Sequence, residues 1–286
     1  MINGIHVNCT KPFLYSNSAD EYEIDDFEVF STILSALMWR LYNGPIRLYT
    51  DDIALSYYQD LGLTDIWDDG IDTETLKNIP DSINQEIFWA AAKLFAIRKE
   101  TVPFAIIDTD LIVWKDINEI LSDKTLACLH RENLDVDCYL PYDLLKKRDG
   151  YNVDPLWDWT EKPCNTAFAY FNDPKFVEYY TSQAIDFMID NGEYPKEMVS
   201  QMVFAEQRLF SMCAKTKHID IYSFLEDPFQ KENELFTHLW GTKSIARKNI
   251  HKKNELCIIL EKKIKREFPN FVPQTAKLKE IFEKYR

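Results

Sequence analysis

Apolar and polar residues fall into blocks along the first half of the chain, and the blocks have two periods. Ile5-His6-Val7-Asn8-Cys9 alternates over a short span and predicts a strand. Phe27, Phe30, Leu34, Leu37, Met38 and Leu41 recur at helical spacing. They predict an amphipathic helix over about 25–42, stopped by Asn43-Gly44-Pro45. Residues 46–50 read as a second strand, followed by Asp51-Asp52 and a helix around 53–60. Ser82-Ile83-Asn84-Gln85 has the form of a capping box. It predicts a helix running to about Lys99, with Phe88, Ala91, Ala92 and Phe95 on one face. Phe104-Ala105-Ile106-Ile107 is continuously apolar, as in a strand buried on both faces. Strands alternating with helices predict an α/β fold, with a mostly parallel central sheet flanked by helices.

The second half is less regular. Residues 125–129 and 166–171 read as strands, and helices are expected over about 174–190 and 198–214. Between them, 131–163 is rich in Asp, Tyr, Pro and Trp and reads as a long loop. After His238-Leu239-Trp240-Gly241 the chain reads as helical to its end, with a break near Pro269 and Pro273. No linker composition appears. The expected organisation is one domain over 1–243 with a helical C-terminal extension, 244–286, belonging to it.

Composition narrows the function classes. With 286 residues the chain can bury a sizeable core. Glycine is scarce at 7 residues, and neither G-x-x-x-x-G-K, G-x-G-x-x-G nor G-x-S-x-G occurs. Six dispersed cysteines without C-x-x-C read as buried thiols of a reducing compartment, so a cytoplasmic protein is expected. No run of about 18 apolar residues offers a membrane span. The net charge of −14 argues against nucleic acid as a partner. That charge is uneven: from Lys243 to Arg286 there are 13 basic and 5 acidic residues. Ile258, Ile259, Leu260 and Ile264 lie among these lysines, which suggests a peripheral contact with anionic lipid at the inner face of a membrane.

The chemistry concentrates at Asp108-Thr109-Asp110. In an extended segment residues i and i+2 face one side, so both carboxylates are expected to converge at the end of the apolar strand. Ligands of open α/β sheets bind at that edge. Such a pair has no basic sequence neighbour before Lys115, and a hard divalent cation is the expected compensation. D-x-D alone is a weak signal, since Asp135-Val136-Asp137 is a second copy without an apolar strand before it.

The run from Phe104 to Trp114 resembles the D-x-D segment of GT-A fold glycosyltransferases, which use nucleotide-diphosphate sugars. Other segments resemble the superfamily in the same order, over about residues 5–243. The resemblance implies a GT-A-like fold, with Mn²⁺ or Mg²⁺ held by Asp108, Asp110 and His238. It implies nucleotide-sugar contacts at Thr10, Lys11, Thr50, Asp51, Trp89, Lys93, Asp108, Asn165 and Lys243. Cys164-Asn165-Thr166-Ala167-Phe168 resembles the strand lining the sugar site. Residues 205–210 resemble an acidic helix start near the acceptor, so Glu206 and Gln207 are the catalytic candidates. His238-Leu239-Trp240-Gly241-Thr242-Lys243 resembles the late H-x-x-G-x-x-K of glycogenin-like enzymes, one residue shorter. A late His ligand leans toward retention at the anomeric carbon.

The implied activity is transfer from a UDP- or GDP-linked sugar to a glycan or lipid-linked acceptor, as in bacterial polysaccharide synthesis. Tyr139, Tyr142, Tyr151, Trp157 and Trp159 in the long loop are placed to stack sugar rings. Two other classes stay open. One is a non-catalytic nucleotide-sugar or glycan binding protein of the same fold. The other is a sugar nucleotidyltransferase, although Thr10-Lys11-Pro12 lacks the glycine-rich loop usual there. A two-carboxylate glycosidase would bind no nucleotide.

Overall fold

A computed structural model describes residues 1–17, 21–194, 199–226, 233–271 and 275–286. In chain order the elements begin with β1 (Asn3–Asn8), α1 (Lys11–Asn17), α2 (Asp26–Tyr42), β2 (Ile46–Thr50), α3 (Asp52–Asp60) and β3 (Ile71–Asp72). There follow α4 (Ala91–Lys99), β4 (Phe104–Ile107), β5 (Leu111–Val113), α5 (Asn118–Leu121), β6 (Leu126–His130) and β7 (Phe168–Phe171). The rest comprises α6 (Pro174–Asp190), α7 (Ser200–Val203), α8 (Leu209–Thr216), β8 (Ile221–Leu225), β9 (Phe236–His238), α9 (Trp240–Lys248), α10 (Ile250–Glu267) and α11 (Ala276–Lys284). A π-helical turn, Phe204–Arg208, joins α7 to α8.

Seven strands form one sheet in the order β3-β2-β1-β4-β7-β6-β8. All its pairings are parallel except those of β7, which runs against both β4 and β6. The expected mostly parallel α/β sheet flanked by helices is therefore what the chain forms. Its strands alternate between two cores. Phe104 and Ile106 enter the core built with α4, α6 and α8, while Ala105 and Ile107 enter the one built with α2 and the C-terminal helices. Burial on both faces explains why β4 carries no polar residue. Helix α2 crosses β1 so closely that a Cβ on Gly4 would meet the Trp39 ring at 2.5 Å.

Two expectations need correction. The Ser82…Gln85 box starts no helix: Asn84 instead makes a side-chain turn to the Glu86 amide, and its carbonyl accepts from Ile87 and Phe88. Such local side-chain bonding competes with helix formation, and α4 begins only at Ala91. The tail's apolar residues do not face outward together. Leu260 and Ile264 are buried and Ile258 is half-buried against the α2 core; of the four, only Ile259 is exposed. Pro273 lies outside the described residues. No described helix is long and apolar enough to cross a membrane.

The tail's cations meet the start of α2. Arg247 pairs with Glu28 at 2.6 Å, Lys284 with Asp26 at 2.9 Å, and Lys253 with Asp25. Three of the tail's cations thus answer an acidic cluster on the domain itself. Helix α9 runs across residue 243, the expected boundary of the extension.

Candidate active site

The Asp108–Asp110 segment is a turn rather than a strand end. Strand β4 stops at Ile107, and the Leu111 amide donates back to the Asp108 carbonyl at 2.9 Å. The carboxylates converge because the chain folds over between β4 and β5, not by strand alternation. Strand β9 pairs with β5 so that His238 lies opposite Leu111, and the Leu239 amide donates to the Asp110 carbonyl at 3.0 Å. This pairing carries a residue more than 120 positions later to the turn. Ligand atoms of Asp108, Asp110 and His238 lie within 4.8 Å of one another.

The acids do have cationic neighbours, supplied by distant parts of the chain. Lys93 Nζ, on α4, lies 2.5 Å from Asp108 Oδ1 and 2.8 Å from Glu206 Oε1. Lys243 Nζ, on the first turn of α9, lies 2.6 Å from Asp110 Oδ2, and His238 Nε2 is 3.6 Å from Asp110 Oδ1. The chain thus compensates the pair itself with ammonium groups that no sequence neighbour of the D-x-D offers before Lys115. Burial raises the Asp110 carboxyl, but the neighbouring His238 ring and the Lys243 charge overcome it and hold the group well below the usual carboxylate range. For Lys93 burial acts downward, and the charges of Asp108 and Glu206 drive its ammonium well above the usual lysine value.

Glu206 sits in the π-helical turn, a distortion that frequently marks functional sites. Its Oε1 accepts from both Lys93 and the Thr166 hydroxyl, the latter at 2.9 Å. The Glu206 carbonyl accepts from Tyr180 at 2.6 Å. Gln207 engages the long loop, accepting from the Tyr139 hydroxyl, while its carbonyl accepts from the Cys164 amide at 3.2 Å. Asn165 donates to Glu132 at 3.0 Å and accepts from the Ala167 amide at 3.1 Å.

The other sequence candidates are less free. Asp51 caps α3 by accepting from the Ala54 amide at 3.0 Å. It also accepts from the Thr10 amide at 2.6 Å and the Thr10 hydroxyl at 3.0 Å. Thr50 is buried and donates to the Asn8 carbonyl at 2.8 Å, within the sheet. Lys11 is exposed at the start of α1. Trp89 is exposed in the turn before α4 rather than on a helix.

Arg208 escaped the sequence reading. It is buried, donates to the Leu140 and Trp159 carbonyls at 2.6 and 2.8 Å, and lies against the Trp159 ring. It ties the 131–163 loop to the same turn that carries Glu206. Its only sequence signal was a charge inside an apolar helix pattern.

The sequence model of a family of unknown function, DUF6734, matches residues 17–278. The chain belongs to that family. No curated protein matches it. Among solved structures, mouse xyloside xylosyltransferase 1 in its apo form is similar at 10% identity, covering 78% of this chain and 84% of that one, with a TM-score of 0.40. The PaToxG glycosyltransferase is similar at 12% identity, covering 99% and 84%, with a TM-score of 0.43. The glycosyltransferase GlyE of Streptococcus pneumoniae TIGR4, in its apo form, is similar at 16% identity, covering 71% and 42%, with a TM-score of 0.37.

Proposed function

We propose that this DUF6734 chain is a cation-assisted glycosyltransferase. It would move a sugar from a UDP- or GDP-linked donor to a glycan or lipid-linked acceptor. The observation that carries the reading is the Asp108–Asp110–His238 cluster at the sheet edge, flanked by Lys93, Lys243 and Glu206. Two carboxylates and one imidazole suit Mn²⁺ or Mg²⁺ and leave positions open for phosphate oxygens. Asp110 Oδ2 supports the fit: it is buried without an aligned hydrogen bond, although the Lys243 ammonium stands close by. When bound there, the ion would stabilise charge developing on the leaving diphosphate.

The chain's own residues do the rest. Lys243 and Lys93 bring positive charge to the edge where a diphosphate would lie. Glu206, held by Lys93 and Thr166, faces the same cluster and orients the donor sugar through its remaining acceptor capacity. Gln207 and Tyr139 belong to the acceptor side, since they couple the π-helical turn to the aromatic loop. Binding donor and acceptor side by side supplies proximity. The His238 position favours a retaining outcome by analogy with glycogenin-like enzymes, and a lipid-linked acceptor would bring the protein to a membrane surface.

A thermal-shift panel of UDP, GDP and their sugar conjugates, with and without Mn²⁺, tests this reading. Mn²⁺-dependent stabilisation by one nucleotide class is expected, through binding to the folded state. If every nucleotide leaves the melting temperature unchanged at millimolar concentration, the reading is wrong. Stabilisation by nucleotide sugar without detectable sugar transfer to acceptor or water would favour the non-catalytic binding protein.

A further inference from the structure

Lys243 stands where a cation would stand. Its ammonium is 2.6 Å from Asp110 Oδ2, on a carboxylate of the candidate ligand set. Lys93 makes a comparable contact with Asp108 but is shared with Glu206 and anchored in α4. Asp110 is the one carboxylate within ion-pair distance of Lys243 among the described residues. Lys243 also springs from the first turn of α9, and its side chain keeps 27% exposure, more than the 16% of Lys93. It is the less tethered of the two ammonium groups.

We propose that Lys243 is a built-in competitor for the cation site. It holds Asp110 when no divalent ion is bound, and it is displaced toward an incoming diphosphate when one is. The inference rests on the functional reading above and deepens it. An ammonium and a divalent ion against one carboxylate oxygen would lie within about 4 Å of each other. At the low effective dielectric of a half-buried site, that repulsion is too large for both to stay. The released ammonium would sit beside the site with a free charge and three donors, suited to phosphate oxygens. Cation and diphosphate would then bind cooperatively, because each favours the displaced arrangement of Lys243.

The pairing also gives Lys243 a protective role that can be measured apart from turnover. Without it, the buried Asp110 carboxylate keeps, among the described residues, only His238 within ion-pair distance. The cation-free protein should therefore lose stability when Lys243 is neutralised, and divalent ion should restore it.

The experiment measures free Mn²⁺ by electron paramagnetic resonance during titration of the full chain, without nucleotide. Wild type, Lys243→Met and Lys243→Arg are compared. Lys243→Met should bind Mn²⁺ at least tenfold tighter, one decade being what removing a single competing contact of about 1.4 kcal/mol yields. Lys243→Arg, which keeps the charge, should stay near wild type. Melting scans should show Lys243→Met below wild type without Mn²⁺ and level with it at saturating Mn²⁺. If Lys243→Met does not fold, Lys243→Gln carries the same expectations. Equal Mn²⁺ affinity in wild type and the neutral variants would overturn the inference and leave the cation site standing. No Mn²⁺ binding by any of them would overturn the cation site, and the inference with it.

Discussion

Lys93→Met separates the structural from the chemical content of the site. The substitution removes an ammonium that touches two carboxylates, with side-chain exposures of 16% for Lys93, 25% for Asp108 and 7% for Glu206. Deleting one partner of a buried ion pair costs about 3–5 kcal/mol, because the remaining charge is left uncompensated. Asp108 is a quarter exposed and recovers some hydration, which places the expectation near the lower end, at about 3 kcal/mol. Each kcal/mol moves the melting temperature by about 2–4 °C in a chain of this size, so a fall of roughly 6–12 °C is expected. The pH dependence has a definite sign. A lysine whose folded value is raised contributes stability that is fully present below its unfolded value and lost only as pH rises through the folded one. The parent therefore keeps the whole contribution across neutral pH. The melting gap between variant and parent should therefore hold across neutral pH. Differential scanning fluorimetry without divalent ion measures it. A gap under about 2 °C at neutral pH would refute the reasoning, since the pairing would then be worth no more than its desolvation.

Three further outcomes follow from particular contacts. Asp110→Asn removes the charge that meets Lys243 and His238; the cation-free protein should melt several degrees lower, and Mn²⁺-dependent transfer should fall at least about 10²-fold. Asp51→Ala removes the α3 cap and both Thr10 bonds; chemical denaturation should show a loss of about 1–2 kcal/mol, and unchanged nucleotide affinity would assign Asp51 to structure alone. His6 is buried, accepts from Trp67 at Nδ1 and meets Ser35 at Nε2, and burial lowers its imidazole to about 3. Since the unfolded chain takes up that proton near pH 6.5, stability should fall with acid between about 6.5 and 3, by up to about 1.4 kcal/mol per pH unit, and urea titrations of His6→Gln should show a flatter slope there.

How much of this was legible beforehand follows from the range of each interaction. Strand β4 was readable because burial on both faces leaves a continuous apolar run, and α2 because Phe27, Phe30, Leu34 and Met38 recur at helical spacing, although the helix buries Val29 through Ala36 without a break. The geometry of Asp108-Thr109-Asp110 was not readable, since a two-residue turn and an extended end look alike in sequence. Lys93, Glu206 and Lys243 are separated by more than a hundred residues from one or another of their partners, and no local pattern encodes such pairing. Asn84 misled because its own side-chain turn outcompeted the capping box beside it. The tail's packing was hidden in a different way. Lysines around Ile258, Leu260 and Ile264 look amphipathic for a lipid surface, but the same periodicity serves an apolar stripe packed on α2, with cations left over for Asp25, Asp26 and Glu28.

The charges of the site constrain the order in which it can be filled. Asp108, Asp110 and Glu206 bring three carboxylates, against two ammonium groups from Lys93 and Lys243. With the imidazole of His238 set aside, the cluster carries one excess negative charge, and the chain around it carries −14 in all. A nucleoside diphosphate has the same sign, so the cluster alone offers it no net attraction. A divalent ion reverses the balance to an excess of one positive charge and, on the proposed displacement, leaves Lys243 pointing at the anion. Donor affinity should therefore depend on the divalent ion far more steeply than in a site whose lysines are unpaired. The lysines keep the cation-free protein stable, while the carboxylate excess they leave uncancelled keeps it from holding a donor that it cannot yet use.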